Sequence, residues 1–130
     1  LGMVRKVCWQ GDQLVITITP TYSGCPAMSV IGLSIEAAME AKGVQNVKIE
    51  TRLSPPWTTD WISEKGKRAL KDYGIAPPQI CGRASASDNV FCPRCNSNDV
   101  ECVSQFGSTP CKAAYRCLSC LEPFDHFKPF

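Results

Sequence analysis

The chain lacks the usual equipment of an enzyme, and it lacks the means to cross a bilayer as a helix. No apolar run in its 130 residues approaches the roughly 18 needed for a membrane-spanning segment. No charged-then-apolar leader of the secretory kind is present, so the expected location is the cytoplasm. Histidine occurs once, at His126, and no carboxylate-rich helix carries the Glu-x-x-His pairs of a di-iron bundle. A Gly-rich dinucleotide fingerprint is absent, and no serine or cysteine is paired in sequence with a plausible histidine base. An excess of one charge is missing too. Lys and Arg number 14 against 12 Asp and Glu, and residues 91–130 carry four of each. A metal ribbon that grips nucleic acid needs a basic face over the phosphates. Neither nucleic acid nor a membrane is therefore an expected partner. The chain opens at Leu1, directly in a strand-like stretch and without a start methionine, so a truncated N-terminus is expected.

Cysteine, by contrast, is abundant. Nine is an odd count, and four of the nine have ligand spacing, which favours a reducing compartment and a metal over a disulfide framework. Cys92-Pro93-Arg94-Cys95 and Cys117-Leu118-Ser119-Cys120 form two Cys-x-x-Cys pairs one hairpin apart. Each pair can fold as a knuckle with two thiolates on one side, and facing knuckles close a tetrahedron. Such a site has no open coordination position, so it holds a fold together and performs no hydrolysis. Zn2+ is the expected ion. Iron is the alternative, because rubredoxin-like sites also use paired knuckles, though usually with glycine after each pair where Asn96 and Leu121 stand here.

The pattern before the ribbon alternates and then turns helical. Residues 4–10 and 13–19 read as a hairpin about Gly11-Asp12, with Leu14, Ile16 and Ile18 on one face. A helix is expected over 27–42, its stripe of Met28, Ile31, Ile35 and Met39 buried with Ala38 beside it, and Gly43 ending it. Residues 44–53 read as a third strand. Ser63 is the expected N-cap of a second helix that runs to residue 73, with Ala69, Leu70 and Tyr73 facing the core and Gly74 closing it. The expected fold is α+β: a small β-sheet covered by two helices, followed by a four-cysteine zinc ribbon. The expected boundaries are 1–78, a linker at 79–90, and 91–130. Within the ribbon, strands are expected over 100–106 and 111–116, with a third through Phe124, His126 and Lys128.

Three further features bear on function. Cys25 stands just ahead of a helix N-terminus, where the helix dipole favours a thiolate, although a free cysteine is often only a small buried hydrophobe. Cys8 reads as core and Cys81 as incidental to the linker, while Cys102 and Cys111 are surplus to the tetrahedron, either facing residues on paired strands or spare thiols near the site. Pro55-Pro56-Trp57, with Asp60 and Trp61 beyond, forms a stiff loop that either presents a partner surface or folds Trp57 back onto the sheet.

Several stretches carry a resemblance. Leu1-Gly2-Met3-Val4, Thr21-Tyr22-Ser23-Gly24-Cys25-Pro26-Ala27-Met28 and Pro55-Pro56-Trp57-Thr58-Thr59-Asp60-Trp61-Ile62 resemble the small domain of iron–sulfur assembly factors. With Phe106-Gly107-Ser108-Thr109-Pro110-Cys111-Lys112 and Tyr115-Arg116-Cys117 joined to it, nearly the whole chain resembles the PaaD (PaaJ) family, the D component of bacterial phenylacetyl-CoA epoxidase systems. The resemblance implies an accessory role in aerobic phenylacetate catabolism: maturation of an iron–sulfur or iron centre in a partner, either a di-iron oxygenase subunit or an iron–sulfur flavoprotein reductase. It makes Cys25 the Gly-Cys-Pro cysteine of the family, a functional thiol that would hold iron or a cluster transiently. The acidic Asp-Pro-Glu motif of these domains is absent from this sequence. A non-catalytic structural adaptor and a rubredoxin-like electron carrier are the competing expectations.

Overall fold

The computed structural model describes residues 1–78 and 90–130; Cys81 and most of the expected linker lie outside the described residues. The described chain forms two compact units, one of residues Gly2–Trp57 and one of Leu1 with Thr58–Phe130.

The first unit is a three-stranded sheet with one helix. Strands β1 (Val4–Gln10) and β2 (Gln13–Ile18) pair antiparallel across the Gly11-Asp12 turn, and Arg5 bulges out of the ladder. Helix α1 (Met28–Glu40) then crosses over and returns the chain to β3 (Val47–Thr51), which lies parallel to β2. The strand order is β1-β2-β3, so both β1 and β3 are edges. Leu14, Ile16 and Ile18 of β2 form the core, against Met28, Ile35 and Met39 of α1 and Val44, Val47 and Ile49. The expected helical stripe is half-buried rather than buried, and Ala38 is exposed. One helix on a three-stranded sheet has too little apolar surface around it to close its flanks. Cys8, expected in the core, is half-buried for the same kind of reason, because β1 is an edge strand. The third strand is shorter than expected, five residues instead of ten, and α1 starts at Met28. Gly43 takes φ +79° just past the helix, as its role in ending α1 requires.

The second unit begins with a 3-10 turn over Thr59–Trp61 and helix α2 (Glu64–Asp72). Ser63 caps α2 as expected: its Oγ accepts the Gly66 amide at 3.1 Å. The chain then enters β4 (Ile75–Ala76), and after residue 90 forms β5 (Val100–Ser104), β6 (Lys112–Cys117) and β7 (Pro123–Phe127). The sheet order is β4-β7-β6-β5, with β4 parallel to β7. Thus α2 and β4 group with the four-cysteine module, and the compact units divide at Trp57/Thr58. Of the α2 residues expected to face a core, Leu70 is half-buried, while Ala69 and Tyr73 are exposed. The core of this unit is Ala76, Val90, Cys92, Cys117 and Phe124, flanked by Val100 and Tyr115. No helix among the described residues is long and apolar enough to cross a membrane.

Candidate metal centre

The two knuckles are built alike. In the first, the Cys92 amide donates to the Ser97 carbonyl at 2.9 Å; in the second, the Cys117 amide donates to the Glu122 carbonyl at 2.9 Å. Each turn passes through one left-handed residue after its second cysteine, Asn96 at φ +62° and Leu121 at φ +63°. These are the two positions where glycine is expected of a rubredoxin-like knuckle. The tight turn forms without it, so residue identity there does not separate zinc from iron. The β5–β6 ladder sets the knuckles face to face, because Val100 pairs with Cys117 and the Leu118 amide donates to the Asp99 carbonyl at 2.8 Å. Ser97 Oγ meets Ser119 Oγ at 2.8 Å, and the Arg94 guanidinium bonds the Glu122 carboxylate at 3.2 Å.

The sulfurs converge. Cys92 Sγ lies 3.7 Å from Cys120 Sγ, and Cys95 Sγ lies 3.5 Å from Cys117 Sγ; all four lie within 4.8 Å of one another. A tetrahedron with metal–sulfur bonds of about 2.3 Å has edges of about 3.8 Å. Four thiols with those separations fit a single tetrahedral ion. Cys92 and Cys117 are buried beneath the pair formed by exposed Cys95 and Cys120.

Their electrostatics fit the same conclusion. The Cys117 thiol is lowered to about 7, chiefly because the Cys120 amide donates to its sulfur at 3.4 Å. Cys120 is held back by the Glu122 amide, yet burial and the neighbouring sulfurs of Cys95, Cys117 and Cys92 push it up to about 12. Four clustered thiols resist ionising together in the absence of a cation. A divalent ion supplies that charge, which is why binding to such a set releases protons. With all four positions filled by sulfur, the ion would staple the knuckles and leave no position for water or substrate.

The other expected site residues lie elsewhere. Cys25 is half-buried in the turn before α1: its amide donates to the Tyr22 carbonyl at 3.3 Å, and its carbonyl accepts the Met28 amide at 3.4 Å. The N-cap of α1 is Ala27, so Cys25 stands two residues ahead of the cap. Trp57 is 4% exposed and does not offer its ring to a partner; the loop folds it inward. Asp60 is exposed and Trp61 half-buried, and both belong to the other unit. Cys102 and Cys111 do not face each other: Cys102 pairs with Tyr115, and Cys111, just ahead of β6, contacts Thr109 Oγ1 at 3.0 Å. Residues that support the centre without any signal in the sequence are Ala76, buried against Cys92 and Cys117, and Lys71, whose ammonium donates to Asn96 Oδ1 at 3.0 Å.

Comparison with known proteins separates the same two kinds of module. Residues 76–128 match the PaaD zinc beta ribbon domain, and residues 1–50 match an iron–sulfur cluster assembly protein family. An Escherichia coli strain K12 protein, named as the D component of 1,2-phenylacetyl-CoA epoxidase, is 48% identical over 98% of this chain and 78% of its own length. The iron–sulfur protein maturation auxiliary factor YitW of Bacillus subtilis is 35% identical over 54% of this chain and 71% of its own. A crystal structure of a DUF59 domain from Bacillus anthracis matches 54% of this chain and 69% of that one, at 29% identity and a TM-score of 0.47. With an iron–sulfur-assembly domain at its start and a four-cysteine ribbon at its end, the chain belongs to the PaaD family.

Proposed function

We propose that the chain is a cytoplasmic accessory component of a multicomponent 1,2-phenylacetyl-CoA epoxidase and helps mature an iron–sulfur or iron centre in a partner protein. The observation that carries this reading is the match of residues 1–50, which include Cys25, to an iron–sulfur cluster assembly family. The 48% identity to an epoxidase D component supports the epoxidase context. In this reading the four-cysteine centre holds zinc and is structural. Cys25 is the working thiol: as a thiolate it ligates iron or a cluster, which then leaves by exchange onto the cysteines of the client. The chain carries out no turnover of the epoxidase substrate itself.

The test is Cys25→Ser in protein that retains its metal at Cys92, Cys95, Cys117 and Cys120. The client's cluster content and the epoxidase activity are expected to fall together. Unchanged values would sink the role of Cys25 and leave the structural adaptor, which needs the chain to co-purify with the oxygenase but needs no reactive thiol. The rubredoxin-like carrier requires iron at the same four sulfurs. Metal content and the visible spectrum of protein purified without oxygen decide it: zinc is colourless and redox-silent, whereas four-sulfur iron is coloured.

A further inference from the structure

The open edge of β3 lies beside an apolar groove. Leu14 donates its amide to the Asn46 carbonyl at 2.8 Å, and the Arg52 amide donates to the Ile18 carbonyl at 2.9 Å. Those bonds turn the even-numbered backbone groups of this stretch towards β2. The amides and carbonyls of Val47, Ile49 and Thr51 therefore point outward, and among the described residues no strand pairs with them. Above that edge, α1 leaves an open groove of about 490 Å³ lined by Met28, Gly32, Leu33, Glu36, Ile49 and Thr51. Leu33 is 66% exposed on its rim. An unpaired strand edge next to an unfilled apolar groove is a template for another chain.

We propose that the occupant is a second copy of this chain, joined by an antiparallel β3–β3 pair with its two-fold axis at Ile49. Two independent features select this register. Ile49 is the midpoint of the strand and has outward-facing backbone groups, so the axis passes through a hydrogen-bonded pair and Val47 bonds Thr51 of the second copy on each side. The same register sets Lys48 opposite the second copy's Glu50, and Glu50 opposite its Lys48. Within one copy these residues already pair at 2.9 Å, and Arg52 stands 3.7 Å from the same carboxylate. Moving the axis by one residue, onto Glu50, would turn the amides away and oppose Glu50 to Glu50.

The helices agree with the strands. Gly32 lies over Ile49, since a Cβ there would sit 3.8 Å from Ile49 Cδ1. The axis thus passes beside the residue with the least bulk. Antiparallel α1 helices then place Glu36 near Met28 and Ser29 of the second copy rather than against its own counterpart. With strands about 4.8 Å apart and each helix over β2 and β3, the two helices sit about two strand spacings apart, about 9.6 Å. That lies within the roughly 8–10 Å at which helices pack. Leu33 of each copy fills the other's groove. The result is a continuous six-stranded sheet carrying two helices on one face.

The test is sedimentation velocity with light scattering on the full, metal-loaded chain. The expected mass is twice 14.2 kDa. Lys48→Glu and Glu50→Lys each oppose like charges twice across the axis and should weaken the dimer at least about tenfold. The double exchange Lys48→Glu/Glu50→Lys restores both the internal pair and the cross-pair, and should return the affinity to within about threefold of the original. Leu33→Asp, on an exposed position, should yield monomer. A chain that stays monomeric up to about 100 μM overturns the proposal. So does a dimer indifferent to the single exchanges, or one that the double exchange fails to rescue.

Discussion

Leu121 shows what the metal centre demands of single residues. It is 69% exposed and held at φ +63°, a conformation that costs a residue with a Cβ about 1 kcal/mol or more. Leu121→Gly gives up little packing and removes that strain. Urea denaturation of the metal-loaded protein should show a higher midpoint, equivalent to a gain of about 1 kcal/mol in unfolding free energy. His126 makes the opposite kind of demand. It is buried, edge-on to Tyr115 with ring centroids 5.4 Å apart, and burial lowers it to about 4. Below about pH 6.5 the unfolded chain takes up a proton that the folded chain refuses until about pH 4. Stability should therefore fall as pH falls across that window. His126→Phe should flatten the slope of melting temperature against pH between about 7 and 5, whereas a slope equal to that of the unsubstituted protein would locate the sensitivity elsewhere. At this scale the sequence is readable where spacing alone sets geometry. Two residues between paired cysteines bring their sulfurs together whatever surrounds them. The burial of Trp57 has no such local determinant, and its ring turns inward from a loop that equally suggests a partner surface.

Among the elements, the ribbon loop between β5 and β6 is the most tightly specified. Asp125 on β7 receives Lys112 at 2.9 Å and Ser108 Oγ at 2.8 Å. Burial opposes its charge, but these bonds outweigh it and hold its carboxyl below the usual range. The Gly107 amide donates to the Lys112 carbonyl, and a Cβ on Gly107 would stand 2.5 Å from Asp125 Oδ1. Gly107→Ala should displace the carboxylate and destabilise the ribbon by about 1–3 kcal/mol, read as a loss in chemical denaturation without loss of bound metal. Elements are legible in the sequence where periodicity is long. The hairpin, α1, the Ser63 cap and the three ribbon strands each show at least about five residues of pattern or a specific turn signal. Strand β4 has two residues, too few for any period, and it lies at the end of the stretch that reads as the first domain. That is also why α2 reads as a cover for the first sheet: the strand that ties it to the ribbon leaves no trace.

For the whole molecule, the placement of α2 and β4 changes what metal removal should do. Beyond the pair formed by Lys71 and Asn96, the second unit is held by the β4–β7 ladder and by the Thr59 amide, which donates to the Phe130 carbonyl at 3.2 Å. A ribbon of this size buries too little apolar surface to stand without its ion. Chelation should therefore abolish amide protection in α2 and β4 together with β5, β6 and β7. Leu14, Ile16 and Ile18 should keep theirs. Hydrogen exchange followed by mass spectrometry resolves the two groups; retention of α2 protection in metal-free protein would show that helix to be independent of the centre.

The two-residue strand has one more consequence, for where the polypeptide can be cut. Ile75 and Ala76 pair with Asp125 and His126, so the ladder closes a circuit of about 50 residues around the metal ligands. A graft that begins at residue 90 would carry every cysteine of the centre and still leave an outer strand missing and a hole where Ala76 belongs. Apart from Leu1, the compact unit that keeps strand and core together starts at residue 58.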